Sequence, residues 1–493
     1  MSISKNENKK QKNESPVRKK RSLRTSDRNT EFALVTYFFV ILFLALMAYF
    51  TYFMIFRAES VINNSYNSRT ETFAQKVIRG SILSSDGTVL AETVVSDDGT
   101  ETRSYPYGSV CAHVVGYTIQ GKSGIESFAN FYMLRSHAPI LERLFNDITD
   151  NKNEGDNVVT TIDIDVQKAA YNALGSYDGA IVVIQPSTGK ILAMVSKPEF
   201  DPNTLEADWD LLTSDSDSSV LLNRATQGLY PPGSIFKVLT TVEYIRENDK
   251  VSGYSFDCTG SFTSGSSTIH CYGNTAHGSE DLKTSFAKSC NSSFANIGLT
   301  LNISSFVSLC ESALFNSDLP TSFEYKKSSF SLTSDADTDE IMQTAIGQGQ
   351  TLVTPFHMAL ITAAIANDGV LMTPYIIDHT ENKNGVSVKE FSSSEYGTIF
   401  TEHESEVLQN YMAYTVSNGT ASALSGQSYD AYGKTGSAEY IDGSDDTHSW
   451  FIGYASKDGY EDIAVAIIAE GAGSGSSVAV PIAKEIFDEY FSK

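Results

Sequence analysis

The sequence predicts an α+β fold, a sheet covered by helices, carried behind a single membrane-spanning helix. Three observations lead there. Phe32 to Phe56 is a run of 25 residues without a formal charge. At about 1.5 Å per residue it exceeds the roughly 30 Å hydrocarbon core of a bilayer. Beyond it, helical periodicity near both ends brackets apolar segments joined by short turns, the pattern of antiparallel hairpins between helices. Finally, 493 residues, 41% hydrophobic and 19% charged, suffice for two or three folded units with their own cores.

Charge sets the orientation. Residues 1 to 31 hold ten Lys/Arg and four acids, leaving 26 bases and 56 acids in the remainder. By the positive-inside rule, residues 1–31 form a cytoplasmic tail, 32–56 the transmembrane helix, and the chain beyond residue 58 lies outside. A cleaved signal peptide fits less well, since its apolar core would be about twice the usual length and no small-x-small site precedes Arg57. The acidic body repels nucleic acid, so the basic head is not read as a nucleic-acid arm. Cys111, Cys258, Cys271, Cys290 and Cys310 read as too few and too scattered for a disulfide framework or a zinc site. No metal or cofactor is therefore expected. Cys258 and Cys271 either bridge across a hairpin or stay as buried thiols.

Residues 57–155 read as a juxtamembrane stalk followed by a small strand-rich unit from Arg79. Its opening, Arg79 to Ala91, places two short apolar strands around Asp86-Gly87. Residues 156–493 form the main body. Thr160 to Asp163 supplies capping residues for an amphipathic helix over Val166 to Leu174, and Gly179–Gln185 and Lys190–Ser196 flank the turn Pro186-Ser187-Thr188-Gly189. Ser449–Ala455 and Ile463–Glu470 form a second hairpin around Lys457-Asp458-Gly459, and Ile482 to Phe491 closes with a helix.

Chemistry concentrates in three short motifs. In Tyr230-Pro231-Pro232-Gly233-Ser234-Ile235-Phe236-Lys237, two prolines and a glycine precede an apolar-periodic run, so Ser234 opens a helix. Residues three apart share a helical face, which lets the Lys237 amine reach the Ser234 hydroxyl and activate it as a nucleophile. Ser-x-x-Lys recurs at Ser2/Lys5, Ser187/Lys190 and Ser285/Lys288, but in a tail, a hairpin turn and a helix lacking the preceding turn. Downstream stand Ser289-Cys290-Asn291 and Lys434-Thr435-Gly436-Ser437. Three motifs in this order are far more specific than any one of them.

The ordered trio resembles the set found in penicillin-binding proteins and class A β-lactamases, and the resemblance implies a peptide ending in two D-alanines, which presents a carboxylate to anchor, a carbonyl to attack and an amine to expel. Lys434 and Thr435 suit the carboxylate, and backbone N–H groups of Ser234 and Ser437 suit an oxyanion hole. Ser289 relays a proton to the leaving amine. Asn291 holds the substrate amide and Lys237, which neighbouring cations are expected to keep neutral.

The trio resembles that of class B penicillin-binding proteins, and the resemblance extends over most of residues 70 to 493. Arg79-Gly80-Ser81-Ile82 and Gly121-Lys122-Ser123-Gly124-Ile125-Glu126 resemble the family's pedestal signatures. His277-Gly278, Gly347-Gln348-Gly349-Gln350 with Thr354-Pro355, and His448 to Ala455 are similar to its transpeptidase signatures. The resemblance implies a penicillin-binding, serine β-lactamase-like domain with a five-stranded antiparallel sheet between helical layers and the nucleophile at their junction. It implies a bacterial plasma-membrane enzyme that cross-links peptidoglycan stem peptides ending in D-alanyl-D-alanine through a Ser234 acyl-enzyme and is acylated by β-lactams. Residues 57–155 are too short for a glycosyltransferase, so a membrane glycosyltransferase partner is expected. The pedestal is short for the class, and Cys290 stands where class A β-lactamases carry Asp. A D,D-carboxypeptidase, a β-lactam sensor or β-lactamase, and a structural division-site component are the competing readings.

Overall fold

The computed structural model describes residues 24–56, 75–214, 218–248, 253–440 and 446–493. Residues 1–23 of the expected cytoplasmic tail and residues 57–74 of the expected stalk lie outside the described residues. Helix Arg24–Phe56 belongs to a unit separate from the body, and its stretch Thr30–Phe53 has a mean hydropathy of 2.4. A helix of that length and composition fits a membrane anchor.

The body is built on a five-stranded, wholly antiparallel sheet in the order Asp430–Glu439, Thr447–Ser456, Ile463–Ala469, Gly179–Ile184, Ile191–Lys197. Its inner strands read as continuous apolar runs because helices cover both faces. Alternation along each strand sends side chains to two different cores. Ala180, Val182, Ile184, Ala464, Ala466 and Ile468 enter the larger core beneath helices Lys237–Glu247 and Pro355–Ala366. Ile181, Val183, Val465 and Ile467 enter the other, closed by helices Ile164–Leu174 and Ala479–Tyr490. The expected sheet between helical layers is thus present, and both predicted hairpins belong to it.

The N-terminal unit differs from its reading as strand-rich. Short helices at Gly124–Phe128, Asn130–Met133 and Ile140–Thr149 follow the predicted hairpin of Ile82–Leu83 with Val89–Val95. A buried ion-pair triad ties its two signature segments together. Glu126 lies between Arg79 and Arg103, each donating a 2.7 Å bond from Nε to the carboxylate. Burial pushes the Glu126 carboxyl up, but the two guanidinium groups outweigh it and hold the group ionised. Gly80 is dictated by close approach, since a Cβ there would sit 2.0 Å from the Asp156 carbonyl oxygen.

A six-stranded sheet joins this unit to the body. Its order is Ser387–Glu390, Ile377–Glu381, Asn157–Thr160, Ile82–Leu83, Val89–Val95, Glu101–Ser104. Ile82 and Leu83 run parallel to Val158 and Val159, while Ile377–Glu381 returns antiparallel to Asn157–Thr160. Strands from three distant parts of the sequence therefore share one sheet.

Candidate active site

Pro231, Pro232 and Gly233 turn the chain so that Ser234 enters a tight helical turn, Gly233–Phe236, continuous with helix Lys237–Glu247. Three contacts fix that turn. The Trp450 indole Nε1 donates to Pro231 O at 3.1 Å, Gly233 N donates to Gly347 O at 2.8 Å, and Ile235 and Phe236 are fully buried. Gly347, at φ +82°, leaves no room for a side chain, because a Cβ would lie 2.0 Å from Gly233 O. The Gly347-Gln348-Gly349-Gln350 segment thereby backs the Ser234 turn.

Asp430–Glu439, the edge strand of the five-stranded sheet, packs its Gly436 to Ala438 segment against the same turn. A Cβ on Gly436 would meet Ile235 Cγ2 at 3.1 Å and Pro232 O at 3.2 Å. Lys434, Gly436 and Ala438 alternate with Thr435 and Ser437 along this strand, which pairs with Thr447–Ser456 throughout. The Thr435 hydroxyl is hydrogen-bonded to that of Thr420, and Thr420 N donates to Ala287 O at 3.2 Å. Thr420 was not singled out from sequence, because it lies in a helix-terminating loop with no motif around it.

The middle motif forms the joint between two helices. Leu282–Ala287 ends with Ser289 in the left-handed region, φ +58°, while Cys290 N bonds back to Ser285 O at 2.9 Å and Cys290 caps helix Asn291–Gly298. Glycine is the usual occupant of such a helix stop. A serine held there stores backbone strain, as functional sites commonly do.

Ser289 is where the motifs meet. Lys434 Nζ donates to Ser289 Oγ at 2.8 Å and to Thr435 O at 2.9 Å. Lys237 Nζ donates to Asn291 Oδ1 at 2.7 Å and Ser289 O at 2.8 Å, with Ser289 Oγ a further 3.4 Å contact. Asn291 Nδ2 donates to His270 O at 3.0 Å, which orients its carbonyl toward Lys237. The direct Lys237 to Ser234 bond expected from the spacing is not formed among the described residues. Ser234 remains partly exposed while both amines are fully buried.

Burial lowers Lys237 from the usual lysine range to about 8, whereas the nearby Cys290, Cys271 and Glu280 act in the opposite direction. The expectation that cations depress Lys237 is thus corrected: desolvation does so. Repulsion between the two amines acts on Lys434, which burial first and Lys237 second hold well below the ordinary value.

Residues 179–488 match the penicillin binding protein transpeptidase domain, and residues 79–158 the penicillin binding protein A dimerisation domain. The chain belongs to the penicillin-binding protein transpeptidase family. It is 30% identical over 489 residues to the peptidoglycan D,D-transpeptidase PbpA of Mycolicibacterium smegmatis, covering 92% of this chain and 98% of that protein. Among solved structures, the D,D-transpeptidase domain of a peptidoglycan glycosyltransferase from Eggerthella lenta shares 29% identity at a TM-score of 0.75, over 85% of this chain and 99% of that one. Penicillin-binding protein A from M. tuberculosis, solved as a ceftriaxone acyl-enzyme complex, shares 26% at a TM-score of 0.76, over 84% and 99%.

Three of the cysteines, read from sequence as too few and too scattered for a zinc site, gather in space. Cys258, Cys271, Cys290 and His277 place their sulfur and nitrogen donor atoms within 4.8 Å of one another, directly behind the Ser289 to Asn291 joint. Cys258 and Cys271 are not bridged.

Proposed function

We propose that this chain is a membrane-anchored peptidoglycan D,D-transpeptidase in which Ser234 is the acylated nucleophile. The convergence of Lys237 and Lys434 on Ser289, with Asn291 holding Lys237, carries the reading. A Lys237 amine lowered to about 8 is partly neutral near pH 7, so it can take the Ser234 proton as Oγ attacks the carbonyl of the penultimate D-alanine. The tetrahedral oxyanion is stabilised by the N–H groups of Ser234 and Ser437. The proton passes from Lys237 through Ser289 Oγ to the departing D-alanine amine, and the C–N bond breaks to leave the Ser234 ester.

Lys434 and Thr435 receive the terminal carboxylate. Desolvation opposes charge on Lys434, and an arriving anion reverses that balance, so substrate binding and protonation of Lys434 are coupled. Gly436 lets the edge strand pack directly against the Ser234 turn, which brings Thr435 and Ser437 beside it. An amine from a neighbouring stem peptide then attacks the ester, releasing Ser234 and forming the cross-link.

The same machinery opens the β-lactam ring and holds the product as an ester. Glu406 and Asn410, spaced like the deacylating loop of class A β-lactamases, are exposed on helix Glu402–Asn418, and Asn410 accepts a bond from Lys283. That placement favours a slowly hydrolysed ester and an amine as the natural acceptor. Anchoring by Thr30–Phe53, with the tail cytoplasmic and the body outside, and supply of glycan strands by a membrane glycosyltransferase complete the proposal.

The full chain in detergent, given a D-alanyl-D-alanine donor peptide and an amine acceptor, should release D-alanine and form a cross-linked product whose yield rises with acceptor. D-Alanine release with hydrolysed donor as the only product, at every acceptor concentration, would identify a carboxypeptidase instead.

A further inference from the structure

Three cysteines and a histidine that the transpeptidase chemistry leaves unused gather behind the turn bearing Ser289 and Asn291. Cys258 ends strand Phe256–Cys258, Cys271 follows strand Ser267–His270, His277 precedes strand Gly278–Glu280, and Cys290 caps helix Asn291–Gly298. Pairing of Gly278 with Cys258 brings His277 alongside. Four separate chain positions thus deliver four donor atoms to one point.

We propose that Cys258, Cys271, His277 and Cys290 hold one zinc ion in a closed tetrahedral site that fixes the turn carrying Ser289 and Asn291. The spacing of the donors is the first ground. A zinc ion with bonds of about 2.3 Å to sulfur and about 2.0 Å to nitrogen requires sulfurs about 3.8 Å apart and sulfur to nitrogen about 3.5 Å. The Sγ atoms of Cys258 and Cys271 are 3.6 Å apart, those of Cys271 and Cys290 3.7 Å, and Cys258 Sγ lies 3.5 Å from His277 Nδ1. These are edges of a metal tetrahedron. A disulfide demands about 2.05 Å.

The surroundings are the second ground. Each sulfur accepts a backbone N–H, Cys258 from Gly260 at 3.4 Å, Cys271 from Ser292 at 3.5 Å and Cys290 from Ser293 at 3.4 Å. Such donors stabilise thiolates, the form that binds a metal. Lys288 Nζ donates to His277 O at 3.2 Å, fixing the histidine backbone. The three cysteines form their own small buried cluster, with only Phe256 packed against it, apart from the main cores. Buried thiols that served merely as small apolar side chains would lie within those cores, as Cys310 does.

Three soft thiolates and an imidazole select zinc over the hard oxygen-seeking cations, and four protein donors leave no open position, so the ion is structural. Cys258, Cys271 and His277 flank strands of only three or four residues, which the ion would tie to helix Asn291–Gly298 through Cys290. Cys290 lies between the proton-relaying Ser289 and the Lys237-orienting Asn291, so the ion fixes both through one covalent neighbour. The consequence for turnover rests on the proposed function, whereas the metal content does not.

The full chain, purified in detergent from zinc-supplied cells, should carry one zinc per chain by elemental analysis. Replacing it with Co2+ should give the intense visible bands of a tetrahedral thiolate site. Cys271→Ser and His277→Ala should lower bound zinc at least about tenfold, while Cys111→Ala should retain it. Stripping the wild-type chain with a chelator should slow penicillin acylation about tenfold, and added zinc should restore it. Metal-free wild-type protein that gives no cobalt bands, or a native Cys258–Cys271 disulfide found by alkylation and mass spectrometry, would overturn the proposal. A zinc-loaded chain that never forms an acyl-enzyme would sink the catalytic reading and leave the metal site standing.

Discussion

Lys237 and Lys434 are both fully buried and both reach Ser289 Oγ, so their charges compete. The conflict makes two predictions. With Lys237 lowered to about 8, the neutral amine, the form proposed to take the Ser234 proton, becomes the major form as pH rises through that value. The acylation rate constant measured in a penicillin stopped-flow series should therefore climb from pH 6.5 and level off above about 8.5. A flat profile would remove Lys237 from that role. Lys434→Met keeps the buried stem and deletes the charge. Acylation should fall about a hundredfold, the equivalent of about 3 kcal/mol for a charged hydrogen bond, while the melting temperature stays level or rises because a desolvated amine is gone. A large thermal loss with acylation intact would mean a structural role. The Lys-Thr-Gly pattern pointed to Lys434 as a carboxylate anchor, but its full burial was not readable, since strand alternation cannot tell an edge facing solvent from an edge facing a helix.

At the scale of elements, the site depends on a helix forced to stop where no glycine sits. Ser289→Gly relaxes the left-handed position, a gain of about 1 kcal/mol, and removes the hydroxyl shared by both lysines. The variant should melt within a few degrees of the parent while acylation falls at least about tenfold. Retained acylation would show that proton transfer bypasses Ser289. The three motifs were legible because each is local, a turn, a helix joint or a strand. The cysteine cluster was not, because Cys258, Cys271, His277 and Cys290 come from four elements with none of the close Cys-x-x-Cys spacing that marks metal sites in sequence. Thr420, which meets Thr435 only through a tertiary contact, escaped for the same reason.

For the whole molecule, the five-stranded sheet followed from its hairpins and continuous apolar strands, whereas the six-stranded sheet did not. Its Ile377–Glu381 strand returns to Asn157–Thr160 across more than two hundred residues, and no local signal encodes such pairing. The apolar helix was plain from composition. Its orientation predicts that protease added to wall-stripped cells digests the body beyond residue 58, and protection of that body would reverse the topology. We propose that Ser234 is acylated and that its ester is hydrolysed only slowly. A brief penicillin pulse on the full chain, followed by proteolysis and mass spectrometry, tests it most directly. One adduct on the Ser234 peptide, persisting many minutes after the drug is removed, is the predicted result. An adduct on another residue, or one lost within seconds with steady drug hydrolysis, would contradict the account.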